Sequence, residues 1–352
     1  MPIATIVLQA FTILLLIAVV LPTIRSDYWI FRMLEYPRYQ KFILSVVILA
    51  FWLFNNPTED AYSITLVSML VVAVSYLGYK IFPYTALSGR EMVNCKAVDP
   101  ANSIRIFSGN VLESNTNYPG FLALIKNADP DIVLLLETDE NWQQGLAELE
   151  KIYPYTLYKA IHNTYGLLFY SKLKLSDSSV NFLVESDVPS ISTLIELPSK
   201  QLVQIWGLHP KPPLPTENIK ATAKNKELML VAFKARECML PVIVMGDLND
   251  VAWSYITELF RKTSKLLDPR RGRGFFSTFS AKSFLIRFPL DYIFASTHFT
   301  LISMKRLPAT GSDHFPILTE LQFSPASVVI QEEPEADKEE LQEAAEIAQE
   351  KV

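Results

Sequence analysis

Pro241-Val242-Ile243-Val244-Met245-Gly246-Asp247-Leu248-Asn249-Asp250 joins an uninterrupted apolar run to a cluster of polar side chains. A short continuous apolar run bounded by a turn reads as a strand covered on both faces. A carboxylate at the end of such a strand is costly unless it is paired, hydrogen-bonded or bound to a metal. The same pattern recurs along the chain. Ile132–Leu136 is five consecutive large apolar residues and runs into Glu137. Leu290 is followed by Asp291 and then by an apolar strand, and Gly311-Ser312-Asp313-His314 immediately precedes Phe315-Pro316-Ile317-Leu318. Taken singly, an Asp after a strand reads as a turn or a helix cap. Taken together, several strand-end acids with one Asn and one His predict a shared site at the edge of a sheet.

The surrounding sequence, from Ser103 onward, has the pattern of a mixed α/β domain. Strands are expected at Ile104–Phe107, Asp131–Glu137, Gly166–Tyr170, Ser192–Leu197, Leu202–Leu208, Pro241–Met245, Leu290–Ala295 and Pro316–Leu321. Helices are expected at Tyr118–Asn127, near Trp253–Lys262, and over Thr216–Met239, where Thr216 and Glu217 supply a start signal after a proline-rich loop. No internal repeat is evident.

Upstream lie three apolar segments, 3–24, 42–54 and 61–82. The first and third, as helices, would each extend roughly 33 Å, enough for a hydrocarbon core of about 30 Å. The second would reach only about 20 Å and needs its flanks, local thinning or a re-entrant path. The first run lacks a basic leader and a small-x-small cleavage site, so it reads as an anchor rather than a signal peptide. Residues 1–98 are therefore expected to form a multi-pass membrane anchor, 99–325 the catalytic domain, and 326–352 an acidic tail, disordered or helical. Arg25, Arg32, Arg38 and Lys41 crowd the first loop, whereas the second holds Glu59 and Asp60. If all three runs span, this bias puts the catalytic domain in the cytoplasm; if the second does not, the side reverses.

Charge narrows the function. Residues 99–325 carry 23 basic and 23 acidic side chains, and the tail is net −7 within a chain of net −5. A protein that holds nucleic acid by counterion release would show a cationic excess in its working domain. The two cysteines, Cys95 and Cys238, are too few for a disulfide framework and have no metal-site spacing.

The segments Ser108-Gly109-Asn110-Val111, Leu136-Glu137-Thr138, Gly207-Leu208-His209-Pro210, Gly246-Asp247-Leu248-Asn249, Leu290-Asp291-Tyr292-Ile293-Phe294 and Ser312-Asp313-His314-Phe315-Pro316 occur in a telling order. In that order they resemble the endonuclease/exonuclease/phosphatase superfamily over about residues 103–322. Ile81-Phe82-Pro83-Tyr84-Thr85, with the three apolar runs, resembles its bacterial membrane-tethered branch. The resemblance implies a four-layer α/β/β/α sandwich (DNase-like) preceded by an N-terminal transmembrane helical region. It also implies an extracytoplasmic catalytic domain, the side preferred here against the charge bias.

Residue chemistry gives each motif a role. Glu137, with Asn110 and Asp313, offers hard oxygen ligands for Mg²⁺ or Mn²⁺. His314 is the candidate base or transition-state donor, oriented by Asp291. Asp247 would orient or deprotonate the attacking water, and Asn249 would donate to a phosphoryl oxygen. His209 matches the superfamily's second histidine and is the candidate proton donor to the leaving oxygen. His162 and His298 match no motif. Arg270, Arg271 and Arg273 read either as a grip for phosphate or headgroups or as a solvated loop. One departure is Leu136, where superfamily nucleases often carry Gln before the metal Glu; it argues against nucleic-acid specificity. The expected activity is metal-dependent hydrolysis of a phosphoester, preferably lipid-linked and held near the bilayer. A membrane-tethered nuclease and an inactive scaffold of the same fold are the alternatives.

Overall fold

The computed structural model describes residues 3–54 and 60–352; Glu59 of the second loop lies outside them. Three apolar helices come first: α1 (Ile3–Val20), then, after the short α2 (Trp29–Met33), α3 (Arg38–Phe54) and α4 (Ala61–Ile81). Leu15, Leu16 and Val19 of α1 pack with Ile48 and Trp52 of α3 and with Leu66, Leu70, Ala73 and Leu77 of α4. The indole of Trp52 donates to Thr12 Oγ1 at 3.0 Å. Two helical stretches, Ile3–Thr23 and Ala61–Tyr84, are long and apolar enough to cross a membrane, and only 28% of each is buried inside the protein. Their exposed apolar surface distinguishes them from core helices.

Eleven strands follow in two sheets, built in chain order from β1 (Ser103–Asn110), α5 (Tyr118–Ala128), β2 (Ile132–Leu136), α6 (Glu140–Gly145), β3 (Tyr155–Lys159), β4 (Leu167–Ser171), β5 (Lys174–Asn181), β6 (Ser190–Glu196), β7 (Leu202–Leu208), α7 (Thr222–Glu237), β8 (Val242–Asp247), α8 (Tyr255–Ser264), β9 (Asp291–Ala295), β10 (Phe299–Arg306), β11 (Ile317–Phe323) and α9 (Lys338–Gln349). One sheet has the order β10-β11-β1-β2-β4-β3 and the other β5-β6-β7-β8-β9. Each has one parallel pair, β1 with β2 and β7 with β8. Such pairs need a crossover, here supplied by α5 and α7.

Period-two alternation sorts the buried strands into layers. Ile132, Leu134 and Leu136 of β2 meet Ile243 and Met245 of β8 between the sheets. The other faces of the same strands go outward: Val133 and Leu135 pack on Phe121 and Ile125 of α5, and Val242 and Val244 pack on Leu228, Val231 and Ala232 of α7. The result is helices, sheet, sheet, helices, the four-layer sandwich expected.

The expected helix over Thr216–Met239 begins later, at Thr222. Residues just before it pair instead with the segment after α1: Trp29 N–H donates to Ile219 O at 2.9 Å and Ala221 N–H to Asp27 O at 2.8 Å. Tertiary pairing overrides the local start signal there. In the acidic tail, an Asp337/Glu340 capping box starts α9, and Ala344 is fully buried. Ile347 and Ala348 pack on the same core as α7 and α8.

Candidate active site at the ends of two parallel strand pairs

The two parallel pairs set the site. Asn110, the last residue of β1, pairs with Leu136 of β2, so Glu137 follows directly beside it. Leu208 of β7 pairs with Gly246 of β8, so His209 and Asp247 emerge side by side in the same way. Asp247 also pairs with Asp291, the first residue of β9. Gly246 is required: at its φ of +134°, an added Cβ would lie 2.0 Å from Leu208 O. Glu137 and Asn249, at φ of 59° and 49°, hold the left-handed conformation although neither is glycine. Non-glycine residues adopt it at a cost, and such strain gathers at functional sites.

The side chains converge. Asn110 Nδ2 donates to Glu137 Oε1 at 2.6 Å and to Asp247 Oδ2 at 3.3 Å, touching acids from both sheets. His314 Nδ1 is 2.8 Å from Asp291 Oδ2, and its Nε2 is 3.6 Å from Asp247 Oδ2. His209 Nε2 lies 3.9 Å from the same Asp247 oxygen. Asn249 N–H donates to Asp247 Oδ1 at 2.9 Å, while one amide hydrogen of its side chain goes to Pro210 O at 3.0 Å. The second amide hydrogen is left for another acceptor. Asp313 sits beside His314 with its Oδ1 buried and unpartnered, as is Asp291 Oδ1.

Burial and charge act on these groups in opposite directions. Burial, with the like charge of Asp313, pushes the Glu137 carboxyl up against the lowering effect of its bond from Asn110. Asp247 is driven up to about 7, chiefly by burial, although the His314 imidazole beside it lowers it. For His314 burial alone would lower the imidazole; the carboxylates of Asp291 and Asp247 outweigh that and hold it up at about 10. For His209 the raising effect of Asp291 is too small to compensate, so burial and the nearby His314 push it down to about 3. His314 is therefore a cation and His209 a neutral imidazole near pH 7. A neutral His209 can donate a hydrogen bond but is not charged with a proton to deliver.

Among the described residues, two groups of Asp, Glu and His side chains have the spacing to hold a metal ion. In one, ligand atoms of Asp247, Asp291 and His314 all lie within 4.8 Å of one another. Since His314 Nδ1 is already committed to Asp291, this cluster suits proton handling. Glu137 and Asp313, the latter with a buried unpartnered Oδ1, offer carboxylate oxygens of the kind a hard divalent cation takes, while Asn110 turns its amide nitrogen to Glu137 and accepts from Leu112 N–H through its Oδ1 at 3.0 Å. The second group is Glu113, Asp139 and His162. It shares with Glu137 a cleft of about 360 Å³, and it contains a histidine that matched no sequence motif.

Several contacts that support the site had no signal in sequence. Ser312 Oγ donates to Asn110 O at 2.8 Å and accepts from His314 N–H at 2.9 Å, tying β1 to the start of β11. Lys224, buried in α7, reaches Asp250 Oδ2 at 2.5 Å, and Tyr36 Oη donates to Asn249 O at 2.6 Å. Arg38 donates to Trp253 O at 2.6 Å, and Tyr84 Oη to Ala252 O at 2.5 Å. The arginine run takes neither role expected of it. Arg270 is fully buried against Asp268, with its guanidinium 3.9 Å from the centre of the Tyr292 ring. Arg271 pairs with Glu258, and Arg273 donates to Met92 O and Asn94 Oδ1. The run packs the domain together.

Residues 107–314 match the model of the Endonuclease/Exonuclease/phosphatase family. A search of curated proteins found no match. Among solved structures, the chain is similar to D. rerio TDP2 complexed with single-strand DNA product, at 17% identity and a TM-score of 0.53 over 62% of this chain and 99% of that one. It is also similar to the human Nocturnin catalytic domain with bound sulfate, at 20% identity and 0.52 over 67% and 98%. An endonuclease/exonuclease/phosphatase family protein from Bacteroides thetaiotaomicron gives 21% identity and 0.50 over 64% and 100%. At these identities the structural likeness establishes the fold, and the family match spans more than half of the chain. With the converging strand-end acids, it follows that the chain belongs to the Endonuclease/Exonuclease/phosphatase family of phosphoester hydrolases.

Proposed function

We propose that the chain is a membrane-anchored, divalent-metal-dependent hydrolase of lipid-linked phosphoesters that works by direct attack of water. The observation that carries this reading is the bridge made by Asn110, whose one amide nitrogen contacts both Glu137 and Asp247, with His314 beside Asp247. One phosphate can reach all of these groups at once, which argues against an inactive scaffold.

Glu137 and Asp313 would hold Mg²⁺ or Mn²⁺, with the Asn110 amide steadying Glu137 beside them. A bound divalent cation supplies charge stabilisation for the phosphoryl oxygens and the leaving group. Asp247, poised near neutrality, orients the attacking water and accepts its proton. His314, as an imidazolium fixed by Asp291, donates from Nε2 to a phosphoryl oxygen, where charge grows as the bond to water forms. Asn249 and neutral His209 add two further donors aimed at the same oxygens. No covalent enzyme intermediate is needed.

The lipid preference rests on the anchor. α1 and α4 meet the length and apolarity needed to span a bilayer, α3 packs against both, and Ile81, which closes α4, and Tyr84 just after it enter the core of the catalytic domain. A site fixed to the membrane works on what the membrane presents. The even charge of the domain and Leu136 before Glu137 count against the nuclease alternative. We place the domain on the extracytoplasmic side, which protease accessibility in intact cells tests. Turnover of labelled lipid phosphodiesters, lipid phosphates and DNA, each with and without Mg²⁺, tests the substrate. Metal-dependent cleavage of the lipids is expected, and cleavage of DNA alone would overturn it.

A further inference from the structure

Between Thr278 and Leu290 the chain makes a loop whose tip is Phe284-Leu285-Ile286. These side chains are 84%, 76% and 56% exposed, three consecutive large apolar residues held out in solvent. Such a tip is unfavourable in water and marks an interaction surface. Its position names the partner. Gln40, in the first turn of α3, donates through Nε2 to Leu285 O at 3.0 Å and to Arg287 O at 3.4 Å. The apolar run of α3 begins two residues later, at Phe42, and Ile43 and Leu44 are themselves exposed. The tip therefore continues the apolar belt of the anchor at the level where that belt starts.

The charges around the tip agree. Lys282 is exposed, and Arg287 lies with its guanidinium 5.4 Å from the Phe284 ring centre and 5.2 Å from that of Phe315. The Arg306 guanidinium lies 4.3 Å from the same Phe315 ring centre. Among the described residues none of these three cations has an ion-pair partner. Apolar side chains ringed by unpaired Lys and Arg match the boundary between acyl chains and anionic headgroups.

The other end of the loop reaches the chemistry. Phe279 and His314 are bridge partners with ring centres 5.1 Å apart, and Ala281 N–H donates to Asp313 O at 2.6 Å. Six residues separate Phe279 from Leu285, a span of at most about 21 Å even fully extended.

We propose that the Ser280–Arg287 loop seats its Phe284-Leu285-Ile286 tip in the bilayer interface beside α3, and so brings a phosphoester still embedded in that bilayer to His314. This rests on the membrane-anchored hydrolase reading, and it can fail separately. In full-length protein reconstituted in nanodiscs containing anionic lipid, a chain with Cys95 and Cys238 replaced by Ser and Leu285→Cys carrying an environment-sensitive fluorophore should be quenched by lipids brominated near the headgroup. Absence of quenching would overturn the proposal, as would crosslinking of the label site to a second copy or to another protein in place of lipid contact. In parallel, Phe284→Ser/Leu285→Ser/Ile286→Ser should cut turnover of a lipid phosphodiester in nanodiscs tenfold or more, while hydrolysis of soluble bis(p-nitrophenyl) phosphate stays within twofold of the unmodified chain. Equal rates on the lipid would contradict the loop's role. If the unmodified chain hydrolyses neither substrate, the hydrolase reading is what fails, and quenching still reports on insertion.

Discussion

The two parallel strand pairs are built alike and supported differently. In each, an Asn or His stands beside an acid where the two strands end: Asn110 closes β1 beside Glu137, which follows β2, and His209 follows β7 beside Asp247, which closes β8. The first pair is held from within the domain. Asn110 bonds Glu137 directly, Ser312 secures the Asn110 carbonyl, and α5 backs the pair with Phe121 and Ile125. The second pair leads into a loop, Leu248–Ser254, whose carbonyls are taken up by Tyr36, Arg38 and Tyr84 from the segment ahead of residue 98. Half of the site therefore depends on the N-terminal helical segment for its shape.

The largest effects should come from the chemistry common to both pairs. His314→Ala is expected to lower kcat/KM by about 10²–10⁴-fold, the range for losing a positioned acid–base group. Glu137→Gln should lose a similar amount, with part of it recovered at high Mg²⁺, whereas the loss in His314→Ala should not respond to metal. A titration of rate against Mg²⁺ for both variants separates a ligand from a proton-handling group. Identical metal responses would erase the distinction drawn between the two sets.

A smaller effect sharpens the difference in support. Tyr36→Phe removes the hydroxyl that donates to Asn249 O and leaves the ring. One hydrogen bond contributes about 1 kcal/mol to stability, so a melting temperature lower by about 2–4 °C is expected, with a fall in kcat of up to about fivefold and KM nearly unchanged. Rates equal to the unmodified chain would mean that the loop after β8 holds its shape without the N-terminal segment.

The third difference lies in the crossover helices and concerns stability rather than rate. Glu227 in α7 is buried with Oε1 unpartnered, and burial, with Glu185 nearby, pushes it up to about 8 from an ordinary 4.5. A carboxyl raised in the folded state contributes stability that is fully present below about 4.5 and is lost as pH rises through about 8. Melting temperature should therefore fall across that window, and Glu227→Gln should flatten the fall without changing turnover. A slope unaltered by the substitution would contradict this. The buried side chains of α5 are Phe121 and Ile125, so no matching dependence is expected from the first crossover.

Much of this was legible in the sequence because buried strands announce themselves. Ile132–Leu136 and Val242–Met245 are continuous apolar runs, and the residues that end them could be read as a site. β3, β5 and β10 were not expected. β5, Lys174–Asn181, contains Ser176, Asp177, Ser178 and Ser179 and sits at a sheet edge, so it carries no apolar signature. The helix start at Thr222 was hidden because Asp27 and Trp29, nearly 200 residues away, hold the preceding backbone. Lys224 and Tyr36 carry no mark as site residues for the same reason: their partners, Asp250 and Asn249, are distant in sequence, and no local pattern points to them. His162, which matched no motif, meets Glu113 at 2.8 Å only because three separate loops converge. The arginines at 270, 271 and 273 misled in the opposite direction, since charge in a row says nothing about which acids will be folded onto it.

The most direct test is the initial rate of bis(p-nitrophenyl) phosphate hydrolysis by the purified full-length chain, measured with Mg²⁺, after removal of metal by EDTA, and after Mg²⁺ is restored, beside Asp247→Asn as control. Turnover that is abolished by EDTA, returns with Mg²⁺ and is absent from the Asp247→Asn chain is the expected result. A properly folded protein whose hydrolysis is indifferent to metal and to Asp247 would contradict the account.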